Sequence, residues 1–313
     1  MLGYVTRRVA ATIPVMLFVA FFVFSLLYLA PGDPAAIIAG DQASPADIAR
    51  IRVSLGLDRP FLVRFADWLW HVLHGDLGVS IFTNLPVTQM IGQRVEPTLS
   101  LMLLTTLIAV LVAVPLGVLA AWRQGSLVDR AVIVLAVLGF SVPVFVVGYL
   151  LAYVFALKLG WLPVQGFTPI SQGVGRFLRT LILPSVALGL IYIALIARIT
   201  RATMLEVLSQ DYVRTARAKG VGSRAILFVH ALKNAAVPIV TVIGNGVALL
   251  IGGAVVTETV FAIPGLGRLT VDAILRRDYP VIQGVVLLFS IAYVLVNLLV
   301  DLLYTVFDPR IRY

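Results

Sequence analysis

Six long stretches of this 313-residue chain contain no Asp, Glu, Lys or Arg, and each is rich in Leu, Val, Ile, Ala and Phe. They are 18 to 27 residues long and lie at 9–32, 97–122, 131–157, 180–197, 234–257 and 279–300. A helix needs roughly 20 apolar residues to cross the hydrocarbon of a bilayer. The runs are continuous and do not alternate with polar residues, so they exclude a membrane barrel. We therefore predict an all-α, polytopic integral membrane protein with six transmembrane helices.

The composition supports a membrane protein. Hydrophobic residues make up 60% of the chain and charged residues 12%, whereas a soluble domain has roughly 45–50% and 25%. Cysteine is absent, which excludes a disulfide framework and thiol chemistry. The first run is longer than a signal-peptide core of roughly 7–15 residues, so we expect it to remain as a helix. Two shorter uncharged stretches, 77–93 and 159–175, contain Gly, Pro and polar residues and predict loops.

The charges between the runs predict the orientation. If the N-terminus is inside, the inner segments are 1–8, 122–130, 198–235 and 307–313, and together they hold thirteen basic and four acidic residues. The outer segments are then 31–96, 158–179 and 258–278, and together they hold eleven basic and ten acidic residues. Basic residues are about twice as dense inside, as the positive-inside rule requires. We expect both termini in the cytoplasm of an inner-membrane protein, and the net charge of +9 requires no nucleic-acid partner.

The outer segment 31–96 predicts a helical extracytoplasmic insertion between the first and second spans. Residues 44–47, Ser-Pro-Ala-Asp, are typical of a helix start, and Gly56 ends the pattern that follows. We expect Asp58 to cap a second helix and Gly75 to end it. An apolar stripe runs along that helix through Phe61, Phe65, Trp68, Leu69 and Val72. The segment fits an amphipathic cap packed on the spans, and a contact surface for an external partner is compatible with that.

The inner segment 198–235 is longer than a minimal connection and carries seven basic residues. Its composition favours a helix over 201–218, a break at 220–223, and a second helix that Ser223 caps and that continues through Lys233. A solvated basic loop beside anionic lipid headgroups is one interpretation. A structured break between two helices favours the other, a docking surface for another protein.

This segment carries a recognisable pattern. Residues 211–220 read Asp-Tyr-Val-Arg-Thr-Ala-Arg-Ala-Lys-Gly, and 230–234 read His-Ala-Leu-Lys-Asn. The pattern resembles the cytoplasmic EAA coupling loop of ABC importer permeases, most closely the dipeptide, oligopeptide, nickel and glutathione group. Further motifs of the B-type subunit of that group follow in order: Pro31-Gly32-Asp33-Pro34, Leu55-Gly56-Leu57-Asp58, Gly75-Asp76-Leu77-Gly78, Pro264-Gly265-Leu266-Gly267, Arg277-Asp278-Tyr279-Pro280 and Asp308-Pro309-Arg310. The resemblance thus extends nearly from end to end.

Two positions depart from the general signature. Arg214-Thr215-Ala216 stands where that signature has Glu-Ala-Ala, and Lys233 stands where many relatives have Pro. The first departure is similar to what B-type peptide permeases carry, so it narrows the subgroup. It also means that no carboxylate at 214 can make the usual contact.

The resemblance implies a type I ABC importer permease fold, with 1–313 as a single transmembrane permease domain. It implies four kinds of partner: a second homologous permease subunit, one or two cytoplasmic ATPase subunits, an extracytoplasmic substrate-binding protein and the lipid bilayer. The loop 198–235 would couple the ATPases to the pathway. The residues implied in that coupling are Tyr212, Arg214, Thr215, Ala216, Arg217, Ala218, Lys219, Gly220, Val221 and Gly222.

The chain contains no P-loop. That motif needs Gly directly before Lys, whereas Leu157, Ala218 and Leu232 precede the three lysines. We therefore expect no catalysis and no cofactor in this chain, with ATP and Mg bound by separate ATPase subunits. His71 and His74 are three residues apart, but surface or interface histidines explain them better than a metal site. An intramembrane enzyme lacks a nucleophile–base or metal cluster.

Polar residues in the last two spans are candidates for the translocation path, since such residues usually face the protein interior or a wet cavity. They are Asn245, Glu258, Asn297 and Asp301. A structural hydrogen bond is the alternative for both carboxylates, and Glu258 also fits a marker of the outer interface.

Small residues recur every fourth position in the fifth span, at Gly244, Ala248 and Gly252. Such a ridge lets another helix approach closely, within this subunit or across a permease pair. Pro14, Pro115 and Pro143 lie within spans, where gating kinks and ordinary tolerance of proline both explain them.

The sequence leaves the substrate open among short peptides, glutathione and nickel, because the resemblance implies that the binding protein does most of the selection. Short peptides are the expected class. An ATP-independent secondary transporter is the rival, but it would need a relay of membrane carboxylates. Only Asp301 and Glu258 qualify, so an ATP-driven importer is favoured.

Overall fold

The computed structural model describes the backbone of residues 2–29, 34–39, 44–54 and 56–307, and within these ranges the chain is helical apart from turns and one isolated antiparallel bridge. The α-helices in chain order are α1 Leu2–Leu29, α2 Pro34–Ala39, α3 Pro45–Ser54, α4 Phe61–Leu73, α5 Val87–Trp122, α6 Leu127–Ser141, α7 Val144–Leu151, α8 Val174–Leu208, α9 Asp211–Ala218, α10 Ser223–Ala225, α11 Leu232–Asn234, α12 Ala236–Val260, α13 Leu266–Arg276 and α14 Tyr279–Phe307. Two π-helical segments, Ala152–Lys158 and Ile226–Ala231, and a 3-10 helix, Ile170–Gln172, complete the set. The motif residues 31–33, 55 and 308–310 lie outside the described ranges.

Two compact units make up the chain. The first unit contains 95–268 and the residues from 295 onward, and the second contains 2–94 and 269–294. Helices α5, α13 and α14 therefore contribute residues to both units.

Five helices of the described chain are long and apolar enough to cross a membrane: Ala10–Leu27 of α1, then α5, α8, α12 and Tyr279–Leu302 of α14. The sixth expected span, 131–157, is not one straight helix, because α6 and the segment Val144–Lys158 meet at 104°. Pro143 explains the bend, since proline disfavours helical backbone in the residue before it. Val142 is accordingly extended, with φ −95° and ψ 122°. Counting this bent pair as one span gives six.

Two helices extend beyond the uncharged runs that predicted them. The stretch 77–93 was expected to be a loop, but α5 already begins at Val87. Helix α8 likewise extends the expected span 180–197 to Val174–Leu208 and includes four arginines. An apolar run marks the part of a helix that lies in lipid, whereas the helix itself continues into water wherever its residues permit.

Helix α8 lies at the centre of the first unit. In the most apolar 18-residue stretch of α8, 67% is buried, whereas the same share is 17% to 39% in the other four span helices. Glycines on three neighbouring helices face it: Gly117 on α5, Gly139 on α6, and Gly246 and Gly253 on α12. A Cβ at Gly117 would lie 2.6 Å from the Cβ of Thr200, and one at Gly139 would lie 2.8 Å from that of Ala194. Small residues thus allow these helices to pack closely around α8.

Ser44 caps α3, as the sequence predicts. Its Oγ accepts a hydrogen bond from the Asp47 N–H (3.2 Å), and the Asp47 carboxylate accepts from the Ser44 hydroxyl (2.6 Å) and N–H (3.2 Å). These hydrogen bonds stabilise the ionised carboxylate and lower the pKa of Asp47. The predicted helix start is therefore confirmed.

The two ends of α4 differ in how well the sequence predicted them. The expected cap at Asp58 is wrong, because the helix begins after Pro60, which makes no side-chain capping bond. At the other end Gly75 adopts φ +82°. The Asp76 N–H donates to the carbonyl oxygen of His71 (2.9 Å), which completes a Schellman turn of the kind that ends helices at glycine.

The apolar stripe of α4 packs on α1. The rings of Phe65 and Trp68 lie 5.6 Å and 5.5 Å from the ring of Phe24, and Phe21 lies 5.4 Å from Phe65. Aromatic pairs at such distances add to the gain from burial. The predicted amphipathic helix is thus attached to the first span.

Candidate functional site

The segment 198–235 consists of the end of α8, the short helix α9 and a second helical run. The expectation of one helix over 201–218 is wrong, because α8 ends at Leu208 and α9 begins at Asp211. The Ser209 hydroxyl donates to the carbonyl oxygen of Glu206 (2.7 Å), and Gln210 is extended with φ −70° and ψ 148°. Serine competes with the backbone for its hydrogen bonds, so it is a typical residue at such a break.

Helix α9 is attached by few contacts and exposes most of its surface. Val213 is fully buried and anchors it, and the Asn234 amide donates a hydrogen bond to the Tyr212 hydroxyl (3.1 Å). The exposed members of the predicted set are Tyr212, Arg214, Thr215, Arg217, Ala218, Lys219, Gly220 and Gly222, and the half-buried ones are Ala216 and Val221. The exposed part therefore carries three basic residues, Arg214, Arg217 and Lys219, against one acidic residue, Asp211, and is net basic.

Gly220 ends α9 in a left-handed conformation, with φ +78°. Its N–H donates to the carbonyl oxygen of Arg217 (3.0 Å), and the Val221 N–H donates to that of Ala216 (3.1 Å). This is a Schellman motif, in which glycine is favoured because it lacks a Cβ. The break at 220–223 that the sequence predicts is therefore present.

The helical run after this break begins differently from the prediction. Ser223 does not cap it, since Gly222 occupies the capping position and no side chain makes a capping bond. The run passes from α10 through the π-helical segment Ile226–Ala231 to α11. Leu227, Ala231 and Ala235 are buried in an apolar cluster with Met204 of α8, so the run packs on the predicted cytoplasmic end of that helix.

An ion pair joins α6 to α8 close to this segment. Asp129 is 3% exposed, and its two carboxylate oxygens accept hydrogen bonds from Nε and Nη2 of Arg201, the latter at 2.8 Å. The Gly125 N–H donates to the same carboxylate (2.9 Å), and the Ser126 hydroxyl accepts from the Asp129 N–H (3.4 Å). The pair connects the start of the bent span to the helix that leads into α9.

Glu258 is completely buried at the end of α12. Its Oε1 accepts a hydrogen bond from the Thr98 hydroxyl (2.6 Å), and its Oε2 accepts from the Arg268 N–H (2.9 Å). The Leu266 N–H donates to the Thr98 hydroxyl oxygen (2.8 Å). Leu266 and Arg268 are the first and third residues of α13, whose N–H groups have no partner within the helix. Two side chains from the second and fifth spans therefore cap α13.

The glycines of Pro264-Gly265-Leu266-Gly267 fit around this carboxylate. A Cβ at Gly265 would overlap the Glu258 carboxylate, and one at Gly267 would lie 2.6 Å from the Cα of Val255. The backbone can approach Glu258 only because both positions lack a side chain. The structure thus gives this motif a packing role.

The other polar candidates of the last spans lie elsewhere in the first unit. Asn245 is exposed on α12, whereas Asn297 and Asp301 are half-buried, four residues apart on α14 and hence on one face. The structure does not bring Glu258 to an open surface, since that side chain is fully enclosed. A role of these four residues in a translocation path stays a prediction.

The small-residue ridge of α12 has two different environments. A Cβ at Gly244 would overlap the side chain of Val300, so this end packs within the subunit. Ala248 is buried, whereas Gly252 is exposed and a Cβ there would meet nothing within 4 Å. The outer part of the ridge thus remains open for another helix.

The two histidines of α4 bond to their own helix. Nδ1 of His71 lies 2.7 Å from the carbonyl oxygen of Asp67, and Nδ1 of His74 lies 2.8 Å from that of Trp70. Within the described ranges, no group of three or more His, Asp or Glu side chains is arranged to hold a metal ion.

Residues 113–313 match the family described as "Binding-protein-dependent transport system inner membrane component". Residues 1–102 match the N-terminal domain that belongs with it. The chain belongs to this permease family. The resemblance found in the sequence motifs is confirmed, and the permease is a multi-pass protein of the cytoplasmic membrane.

Curated relatives match this permease over its full length. It is 59% identical over 310 residues to the "Probable peptide ABC transporter permease protein y4tP" of Sinorhizobium fredii, with 99% of both chains covered. It is 45% identical over 313 residues to the glutathione transport system permease protein GsiC of Salmonella typhimurium, with 100% of both chains covered. These similarities make the chain a permease subunit of an ABC importer.

A solved structure supports the fold of this permease. Its structure resembles a chain of the MetNI methionine ABC transporter, with a TM-score of 0.59 and 18% identity over 70% of this chain and 97% of the other. At that identity the similarity concerns the fold alone. The all-α ABC importer permease fold that the sequence predicts is confirmed.

Sequence reasoning missed two partners in this permease. Residues 126–129, Ser-Leu-Val-Asp, form a helix start that could have been recognised, but nothing local pairs Asp129 with Arg201, 72 positions away. Thr98 is separated from Glu258 by 160 positions and carries no local signal. Both interactions depend on how the spans pack.

Proposed function

We propose that this permease forms half of a translocation pathway for short peptides, including glutathione-like ones, that an extracytoplasmic binding protein delivers. Relatives that match over the full length are named for peptide and glutathione transport, which supports this substrate class. Nickel or another small solute is the alternative within the same class of importer.

The proposed mechanism couples the pathway to ATP hydrolysis through α9. The basic, exposed surface of α9 would sit in a groove of a cytoplasmic ATPase, and the coupling residues predicted from the sequence would form that contact. Breaks at Ser209–Gln210 and at Gly220 bound this helix, so it can move as a short rigid element. Two discrete arrangements of such an element are what alternating access requires. This arrangement of α9 is the observation that carries the proposal.

Separate chains would supply the chemistry and complete the pathway. The three lysines of this chain do not follow a glycine, so ATP and Mg would be bound by one or two kinds of ATPase subunit. A second homologous permease would pair with this one, and the exposed Gly252 end of the α12 ridge offers a close-packing surface for it. Asn245, Asn297 and Asp301 are our candidates for residues along the path. Glu258 is proposed to shape that path indirectly, by holding α13.

Co-expression with a cognate second permease, ATPases and binding protein tests the proposal. The complete complex should import a radiolabelled dipeptide in an ATP-dependent manner, and the purified permease alone should not hydrolyse ATP. Reversing the charge of an exposed α9 residue, Arg217→Glu, should reduce ATPase co-purification. Arg224→Glu is the matched control, because Arg224 is exposed but lies outside α9. Uptake that survives ATP depletion but stops when the proton gradient collapses would contradict the proposal.

A further inference from the structure

A cavity of about 110 Å³ lies within the second unit, between the start of α5 and the segment that contains α13. Its lining comes from 82–94 and 269–281, and most of those residues belong to the segments predicted to be extracytoplasmic. One water needs roughly 10–15 Å³ of cavity volume, so the cavity has room for several waters or for one residue of a short peptide. Its lining includes no residue of α9 and none of the residues that form the Glu258 cap.

The cavity contains charges of both signs that other groups do not neutralise. Arg94 and Asp272 are half-buried and Arg276 is exposed, and none of the three forms an ion pair or a side-chain hydrogen bond with a described residue. Asp272 and Arg276 are four residues apart on α13, a spacing at which opposite charges commonly pair. Here they do not pair, and both line the cavity.

A second carboxylate at the cavity is already satisfied. Asp278 accepts hydrogen bonds from the Ser80 hydroxyl (2.5 Å) and from the Ile81 N–H (3.3 Å). It is buried and fixes the loop before α5 to the start of α14. Asp278 therefore holds one side of the cavity in place, while the guanidinium groups of Arg94 and Arg276 and the carboxylate of Asp272 remain available to a ligand. Phe82 and Met90 add apolar surface beside them.

We infer that this cavity is a subsite for one end of a zwitterionic short peptide, with its α-carboxylate bound by Arg94 and Arg276. Guanidinium groups suit this role because they donate two parallel hydrogen bonds to a carboxylate. Asp272 accepts from an ammonium group of the same ligand. The inference rests on the proposed function, since it names the part of the peptide that this permease itself recognises after the binding protein releases it.

Uptake by the complete transporter tests the subsite, with a free dipeptide compared with the same dipeptide amidated at its C-terminus. Arg94→Gln should raise the KM for the free dipeptide about tenfold, the effect of losing one charge-assisted hydrogen bond, and should leave the KM for the amide nearly unchanged. Arg277→Gln is the matched control, since Arg277 is an exposed neighbour of Arg276 that does not line the cavity. Arg94→Lys should recover part of the loss, which separates loss of charge from misfolding.

The outcomes distinguish this inference from the proposed function. Wild-type uptake of peptide with no effect of Arg94→Gln would overturn the subsite and leave the proposed function intact. An equal loss for peptide and amide, together with loss of ATPase stimulation by the binding protein, would overturn the subsite in favour of a docking role. Failure of the wild-type transporter to import any peptide would overturn both.

Discussion

Asp129 and Arg201 form a two-point ion pair between α6 and α8, with Nη2 of the arginine 2.8 Å from Oδ2 of the aspartate. The aspartate side chain is 5% exposed and the arginine side chain 21%. A charge buried to this extent is costly once its partner is removed. The pair therefore holds the bent span in register with the helix that leads to the proposed coupling site.

Removing one member of this pair should destabilise the permease. We expect Asp129→Asn to cost about 3 kcal/mol, because the half-buried guanidinium of Arg201 is left without its carboxylate. Thermal unfolding in detergent measures the loss, and the double variant Asp129→Asn, Arg201→Gln should recover much of it. Arg214→Gln is the control, since its pair with Asp211 is exposed and contributes little. Equal effects of Asp129→Asn and Arg214→Gln would refute the assignment.

Gly220 should be needed for the shape of the coupling segment. Gly220→Ala places a Cβ at φ +78°, which costs about 1–2 kcal/mol, so the end of α9 should fray and less ATPase should co-purify. Gly175→Ala is the control, because Gly175 is an exposed residue of α8 outside the coupling set and a Cβ there would meet nothing within 4 Å. If both variants retained the ATPase equally, the turn would have no part in coupling.

Thr98 should matter far more than a second buried threonine on the same helix. Thr98→Val removes the donor to Glu258 and the acceptor for the Leu266 N–H, so we expect a loss of about 1–3 kcal/mol for each group left unsatisfied. Thr105→Val is the control, since the hydroxyl of Thr105 is buried without a hydrogen-bond partner among the described residues. Its replacement should be neutral or stabilising. Unfolding midpoints measured in parallel give the comparison, and equal midpoints would argue against the cap.

The packing around α8 predicts a contrast between two glycines in spans. In Gly117→Ala the new Cβ would lie 2.7 Å from the carbonyl oxygen of Ala197, so the helices must move apart, at a cost of about 1–3 kcal/mol. Gly252→Ala enters open space within this subunit and should leave the isolated permease unchanged. Co-purification with a second permease tests the proposed interface. A loss of pairing in the Gly252→Ala variant, without a loss of its own stability, would support that interface. Similar unfolding midpoints for the two variants would contradict the packing.

The sequence predicted several local features because their causes are local. Ser44 and Asp47 lie three residues apart, so the hydrogen bond that caps α3 depends only on these neighbouring residues. Gly75 and Gly220 end helices because glycine readily adopts the left-handed conformation, in which the following N–H groups can bond the last carbonyl groups of the helix. Predictions failed where local signals competed: Asp58 and Ser223 are good capping residues, but Pro60 and Gly222 occupy the capping positions.

The apolar runs and the charge distribution, read by themselves, determined that this chain crosses the membrane about six times, since lipid requires long uncharged helices and the positive-inside rule orients them. Its motifs determined the family. Only the tertiary structure decided that Glu258 caps α13 through Thr98, that Asp129 pairs with Arg201, and that unpaired charges of both signs meet in one cavity. Each of these arrangements joins residues from different helices, and no periodicity within one helix encodes which side chains a neighbouring helix will present.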